Sequence, residues 1–134
     1  MAHKDPLLEI ACFSYESACI AAKAGADRIE FCADYKAGGL TPSLEDLEKI
    51  KKSIRQPVFV MIRPRGENFI YSQAEFEQMK DEIVQVKKMG FEGVVFGILN
   101  DKNEINVEKN KALVELAKPM EVTFHRAFDL LDNQ

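Results

Sequence analysis

The sequence predicts an α/β fold built on parallel β-strands. Five short apolar runs rich in β-branched residues are spread along the 134 residues, and a helical pattern with an apolar stripe separates each run from the next. Serine, asparagine and glycine residues stand at the expected ends of those helices. A strand–helix–strand order repeated to a fifth strand requires parallel strands joined by helical crossovers.

The first half of the chain contains three predicted strands and two predicted helices. The strands cover residues 7–12, 27–32 and 57–62. Ser14 caps a first helix that runs through Ala24 and ends at Gly25. Pro42 or Ser43 opens the second helix. Its apolar stripe consists of Leu44, Leu47, Ile50 and Ile54.

The second half adds two strands and two helices. The strands cover residues 93–99 and 120–125. Ser72 and Glu75 form a capping box, and Gly90 stops the helix that follows it. The buried face of that helix consists of Phe76, Met79, Ile83 and Val86. A polar turn at residues 100–103 precedes the last helix, which begins near Asn106. Its apolar residues are Val107, Leu113 and Leu116.

Two architectures fit this order. A five-stranded doubly wound sheet of flavodoxin type has about this length, but it would need a fifth helix and uncharged strand interiors, whereas Glu9 and Glu30 lie inside the first two strands. The alternative is a (β/α)₈ barrel cut short, since a complete one typically takes about 250 residues. Five strands cannot close such a barrel, and its open edges would attract partners. The pattern alone leaves both architectures open.

Composition narrows the class of protein. A hydrophobic content of 46% supports one domain with a real core, covering residues 1–134. The net charge of −4 and the absence of a basic face argue against a nucleic-acid or acidic-membrane partner. No apolar run approaches the roughly 20 residues of a membrane span, and the polar start is no signal peptide. We therefore expect a cytoplasmic protein whose three cysteines are reduced thiols.

Polar residues at the strand ends form the candidate site. Because side chains alternate along a strand, Glu30 and Cys32 share one face of the second strand, Arg63 continues a face of the third, and His125 ends a face of the fifth. If these faces point inward, the four side chains converge at one mouth. Glu9 lies on the corresponding face of the first strand.

The residue types at this mouth indicate recognition of an anion. Arg63 and Arg65 in an Arg-Pro-Arg-Gly turn are suited to a bidentate grip on carboxylate or phosphate. His125, followed by Arg126 and Asp129, is a candidate general acid or base. The alternative is structural: the arginines form surface salt bridges or neutralise Glu9 and Glu30, and His125 is a hydrogen-bonded core residue.

The cysteines suggest a second kind of site. Thiolates at Cys12 and Cys32 would be soft ligands for Cu(I). The alternative is that both pack as small hydrophobic residues, as we expect for Cys19.

Five sequence blocks, in this order, closely resemble those of one known family: Glu9-Ile10-x-Cys12, Gly25-Ala26-Asp27-Arg28-Ile29-Glu30-Phe31-Cys32, Gly38-Gly39-Leu40-Thr41-Pro42-Ser43, Met61-Ile62-Arg63-Pro64-Arg65-Gly66 and Val122-Thr123-Phe124-His125-Arg126-Ala127-Phe128-Asp129. They resemble the CutC family, named for copper homeostasis, from Leu7 to the last residue. The resemblance implies a (β/α)₈ TIM barrel. We therefore expect an α/β fold in which this chain forms the first five strands of a longer parallel barrel.

The resemblance also implies a function. CutC proteins are described as cytoplasmic copper-binding proteins, often dimeric, with Cu(I) ligands proposed at cysteines ending the first two strands. Cys32 matches the second of these. Some relatives carry the first thiol one place earlier, where this chain has Ala11, and Cys12 would then point off the shared face.

Two hypotheses follow. The first is a copper homeostasis protein that binds Cu(I) through Cys12 and Cys32, with Met61 near them. The second is a barrel enzyme acting on a small anionic metabolite. In that hypothesis the catalytic residues are His125, Glu30 and Asp129, and the ligand-binding residues are Arg63, Arg65, Arg126 and Glu9. Guanidinium groups do not bind metal cations, so the arginines fit an organic ligand better than Cu(I).

Overall fold

The computed structural model describes residues 7–125. Within this range the five strands are β1 (Glu9–Cys12), β2 (Arg28–Phe31), β3 (Val58–Met61), β4 (Gly93–Phe96) and β5 (Glu121–Phe124). The α-helices of the same range are α1 (Tyr15–Lys23), α2 (Leu44–Ser53), α3 (Gln73–Met89) and α4 (Val107–Ala117). The predicted alternation of strands and helices is confirmed, although every strand is shorter than its apolar run.

Strand β4 illustrates why the apolar runs overestimate strand length. The prediction extended it to Leu99, but the strand ends at Phe96. The main chain of Ile98 is bound by the buried side chain of Asn110 on α4, which accepts from the Ile98 N–H at 3.1 Å and donates to its carbonyl at 2.8 Å. The side-chain amide of Asn110 therefore makes hydrogen bonds to Ile98 that a neighbouring strand would make within a β-ladder.

The order of the strands decides between the two predicted architectures. All five strands pair in parallel, in the order β1-β2-β3-β4-β5. A flavodoxin-type sheet places β1 between β2 and β3, so that order is excluded. Neighbours in sequence are neighbours in space, as in a (β/α)₈ barrel.

The sheet has one face covered by helices and one inner face. The larger hydrophobic core joins all four helices to the strands through residues such as Ile29, Val60 and Val94. The alternate residues form a smaller inner cluster of Cys32, Phe59, Met61 and Val95, with Phe13 packed against it. Because the side-chain period of a strand is two, these clusters lie on opposite faces of the same strands.

The helix starts follow the predicted caps. The side chains of Ser14, Ser43 and Ser72 accept hydrogen bonds from backbone N–H groups of the first turns of α1, α2 and α3, and Asn106 does the same for α4. Ser43, not Pro42, is the cap of α2. No helix among residues 7–125 is long and apolar enough to cross a membrane.

Candidate functional site

Arg63 is a buried cation just beyond the carboxyl end of β3, with only 4% of its surface exposed. Its Nη1 donates to the carbonyls of Ala37 at 2.9 Å and Gly39 at 3.5 Å, and its Nη2 donates to the carbonyl of Glu67 at 3.0 Å. Within residues 7–125 it forms no ion pair. Backbone carbonyl dipoles therefore provide much of the compensation for this charge.

Two of those carbonyls belong to residues with left-handed backbone. Gly39 has a φ of 100° and Glu67 a φ of 71°. Glycine adopts this conformation freely, but a glutamate there is strained, which costs on the order of 1 kcal/mol. The hydrogen bond from Arg63 to the Glu67 carbonyl helps to hold this strained residue in place.

The main chain of Arg63 is held by Thr41. The Arg63 N–H donates to Thr41 Oγ1 at 2.8 Å, and the Thr41 N–H donates to the Arg63 carbonyl at 3.1 Å. The same hydroxyl lies 2.9 Å from Oε1 of Glu82 on α3. The connection between β2 and α2 thus contacts both the main chain and the guanidinium of Arg63.

Arg65 has a different environment from the one predicted for a ligand-binding residue. Its guanidinium forms a two-point ion pair with Glu75, at 2.7 and 3.2 Å. Its remaining donors contact Asn68 and the carbonyls of Gly66 and Ile70. This ion pair holds the pKa of Glu75 below its usual value, mainly through the hydrogen bond from Arg65. Arg65 fixes the β3–α3 loop to the start of α3, and little donor capacity remains for a ligand.

Phe69 joins Arg63 to His125, a contact that sequence analysis missed. The Arg63 guanidinium carbon lies 4.4 Å from the centre of the Phe69 ring, and the imidazole of His125 lies 4.8 Å from it at 44°. Phe69 is 5% exposed. The available signal was an aromatic residue in the loop that follows the arginines, but its direction depends on how that loop folds.

Glu30 and Cys32 lie together on the inner face of β2 and just beyond it. The Cys32 thiol donates to Glu30 Oε1 at 3.9 Å. Burial, reinforced by the charge of Glu9, raises the pKa of Glu30. Burial and the nearby Glu30 carboxylate raise the pKa of Cys32 to about 12. Cys32 is therefore a protonated thiol at neutral pH.

Cys12 does not join this pair. Its side chain belongs to the helix-facing core, and its thiol donates to the carbonyls of Ile10 and Ser17, both at 3.7 Å. Burial raises its pKa as well. Cys32 lies in the inner cluster on the opposite face. Because β1 places its inward side chain at Ala11, Cys12 points off the face that carries Cys32, as the alternation of side chains along the strand predicts.

The residues described here contain no ready-made metal centre. No group of three or more His, Cys, Asp or Glu side chains between residues 7 and 125 is placed to hold a metal ion.

The remaining predicted residues lie apart from the mouth or outside the described range. Glu9 forms an ion pair with Arg28 at 2.8 Å, at the amino ends of β1 and β2. Arg28 thus compensates the charge of Glu9, whereas the structural alternative had assigned that role to Arg63 or Arg126. Arg126 and Asp129 lie outside the residues that the structure describes.

The carboxyl ends of the strands therefore carry the buried guanidinium of Arg63 and the imidazole of His125, which both contact Phe69. The thiol of Cys32 on the inner face is neutral. The sequence model of the CutC family matches residues 6–134, almost the whole chain. The chain belongs to the CutC family.

Curated relatives show the same relationship. The chain is 50% identical over 126 residues to a family protein CutC of Proteus mirabilis, covering 94% of this chain and 50% of that protein. It is 47% identical over 125 residues to the human protein named copper homeostasis protein cutC homolog, covering 93% of this chain and 46% of the human one. The chain thus spans about half the length of the curated relatives it matches.

Solved structures agree with the fold. A structure from Streptococcus agalactiae that carries the CutC name superposes with a TM-score of 0.85 at 31% identity, covering 93% of this chain and 61% of that one. A structure described as a phosphonomutase, from Burkholderia cenocepacia, has a TM-score of 0.65 at 20% identity over 96% of this chain and 57% of that one, which shows a shared fold alone. The predicted partial TIM barrel is therefore confirmed.

Proposed function

We propose that this CutC family chain binds a small anionic metabolite, a phosphate or a carboxylate, at the carboxyl ends of its strands, with Arg63 as the anchor. The observation that carries the proposal is a guanidinium 4% exposed without an ion pair among residues 7–125. Buried charges in proteins are normally paired, because leaving water is costly. A ligand anion would supply the missing countercharge.

The surroundings of Arg63 support an anion. An ionised Glu30 or a Cys32 thiolate would repel it, but burial raises the pKa of both groups and so favours their neutral forms. The carboxyl ends of barrel strands are also where TIM-barrel enzymes build their sites.

In this proposal the chain contributes the first part of an enzyme site. His125, next to the shared Phe69, is the general acid or base, and Glu30, whose pKa is raised by burial, orients the ligand or shares the proton. Arg126 and Asp129, which follow His125, are the predicted additional contacts. A cytoplasmic location and a homodimer stay predictions.

The test is calorimetric titration with inorganic phosphate and with oxalate. We expect Arg63→Lys to weaken binding about tenfold, because lysine keeps the charge and loses the planar fork. Arg63→Gln should abolish binding. The matched control is Arg55→Gln, which removes the same charge beside the amino end of β3 and should bind as the unaltered protein does. No binding of either anion by the unaltered protein would overturn the proposal.

A second candidate function is capture of Cu(I) by Cys32 and Met61. Both are buried in the inner cluster, and a thiol with a thioether is a soft donor pair suited to Cu(I). The human relative is named for copper homeostasis. Anaerobic Cu(I) competition tests it, with Cys32→Ser as the variant and Cys12→Ser as a buried control on the other face. Equal affinities in all three proteins would exclude Cys32 as a ligand.

A further inference from the structure

Thr41 holds the main chain of Arg63 on both sides of the residue. Its hydroxyl accepts the Arg63 N–H at 2.8 Å, its own N–H donates to the Arg63 carbonyl at 3.1 Å, and its hydroxyl lies 3.2 Å from the same carbonyl. Met61 and Val95 are the last residue pair of the β3–β4 ladder, and Ile62 still donates to the Val95 carbonyl, so the bonds to Thr41 begin at the residue after that contact.

The hydroxyl of Thr41 is oriented by α3. A hydroxyl has one proton and two lone pairs. The Glu82 carboxylate, 2.9 Å away, is the closer and more strongly accepting partner for that proton. With its proton directed at Glu82, the oxygen presents a lone pair to the Arg63 N–H. Glu82 is itself held by Gln78 one helical turn earlier, at 3.0 Å.

The same connection contacts the other end of Arg63. The carbonyls of Ala37 and Gly39, which accept from the guanidinium, lie a few residues before Thr41. A displacement of the connection would therefore move both ends of the arginine together.

We propose that Thr41, oriented by Glu82, is a positioning residue for the anion site at Arg63. The inference rests on the proposed function, since it concerns the orientation of the Arg63 guanidinium at the proposed anion site. Without the hydroxyl, the buried Arg63 N–H loses its acceptor, and the main chain shifts to find another. Charge-assisted hydrogen bonds to an anion need good geometry, so a small shift of the guanidinium lowers anion affinity.

The test compares phosphate affinity with folding stability in a set of variants. Thr41→Val keeps the shape of the side chain and removes the hydroxyl, and it should weaken phosphate binding about tenfold, the equivalent of one hydrogen bond. Thr41→Ser retains the hydroxyl and should restore affinity to within about twofold. Ser53→Ala is the control, because it removes a hydroxyl that contacts Tyr15 at 2.7 Å, away from Arg63, and should leave affinity unchanged.

Glu82 provides a second route if Thr41→Val does not fold. Glu82→Leu, on the half-buried face of α3, should weaken phosphate binding several-fold, whereas Glu82→Gln, which keeps an acceptor oxygen, should have a smaller effect. Unchanged affinity in folded Thr41→Val or in Glu82→Leu would overturn this inference. Absence of phosphate and oxalate binding in the unaltered protein would instead overturn the proposed function.

Discussion

The guanidinium carbon of Arg63 lies 4.4 Å from the centre of the Phe69 ring. The ring also contacts His125, with 4.8 Å between centroids. Two side chains that lie just beyond β3 and β5, which are separated by β4 in the sheet, are therefore connected through one aromatic residue of the β3–α3 loop. This relationship makes Phe69 the link between the predicted anchor and the predicted acid or base.

Replacing Phe69 should affect both stability and binding. We expect Phe69→Leu to lower the free energy of unfolding by roughly 1–2 kcal/mol, because a buried ring is lost, and to weaken phosphate binding as Arg63 loses its aromatic support. Urea unfolding and calorimetric titration measure the two effects. Phe91→Leu is the matched control, because Phe91 is 4% exposed with Lys51 over its ring at 5.1 Å, near the amino end of β4. Its stability should fall similarly while phosphate affinity stays unchanged; equal losses of affinity would contradict the account.

The inner face near the amino ends of the strands has no room for a side chain at Gly93. A Cβ at this position would lie 2.6 Å from the Phe59 ring. Gly93→Ala should therefore destabilise the protein by about 1–3 kcal/mol through overpacking. Adding Phe59→Leu should recover part of that loss, which a double-mutant cycle of urea unfolding measures. Additive effects of the two substitutions on the free energy of unfolding would show that a side chain at position 93 does not clash with the Phe59 ring.

The thiol of Cys32 should make stability fall at alkaline pH. Its pKa is about 12 in the folded protein, against 9.0 for an ordinary thiol. The unfolded chain loses the proton first, so stability present below about pH 9 is lost as the pH rises toward about 12, by no more than roughly 4 kcal/mol. Urea unfolding across this range should show a smaller loss in Cys32→Ala than in the unaltered protein. Parallel curves would mean that Cys32 ionises normally in the folded state.

The ion pair between Arg65 and Glu75 should stabilise the loop that carries Phe69. We expect Arg65→Gln to cost roughly 1 kcal/mol of unfolding free energy at neutral pH. The pKa of Glu75 is below its usual 4.5, so the contribution is present above that pH and is lost as the pH falls through the lowered pKa. The difference between the two proteins should therefore shrink in acid. Lys118→Gln, which breaks an exposed pair with Glu115, should have no measurable effect.

Local features of the fold could be predicted from the sequence, because caps and apolar periods act within a few residues. Ser14, Ser72 and Asn106 are caps as expected. The strand order could not be derived from the pattern, since a doubly wound sheet and a barrel share one order of elements. The family resemblance supplied it.

The positions of candidate site residues could be predicted where those residues come directly after a strand. They could be predicted much less well for residues further along a loop. Arg63 and His125 come together because strand ends fix their positions. The contacts of Arg65 and Phe69 depend on how an eleven-residue connection from β3 to α3 folds back, which is set by tertiary contacts. Cys12 was predicted to be a metal ligand because it is a cysteine. The alternation of side chains along β1, however, puts Ala11 and not Cys12 on the inner face.

The most direct test of an anion site at Arg63 is a crystal structure of the protein with selenate, a tetrahedral oxyanion located by its anomalous signal. We predict a selenium peak whose oxygens lie about 2.7–3.0 Å from the Arg63 guanidinium nitrogens, on the side of Phe69 and His125. A selenate-saturated crystal with no anomalous peak at Arg63 would contradict the account.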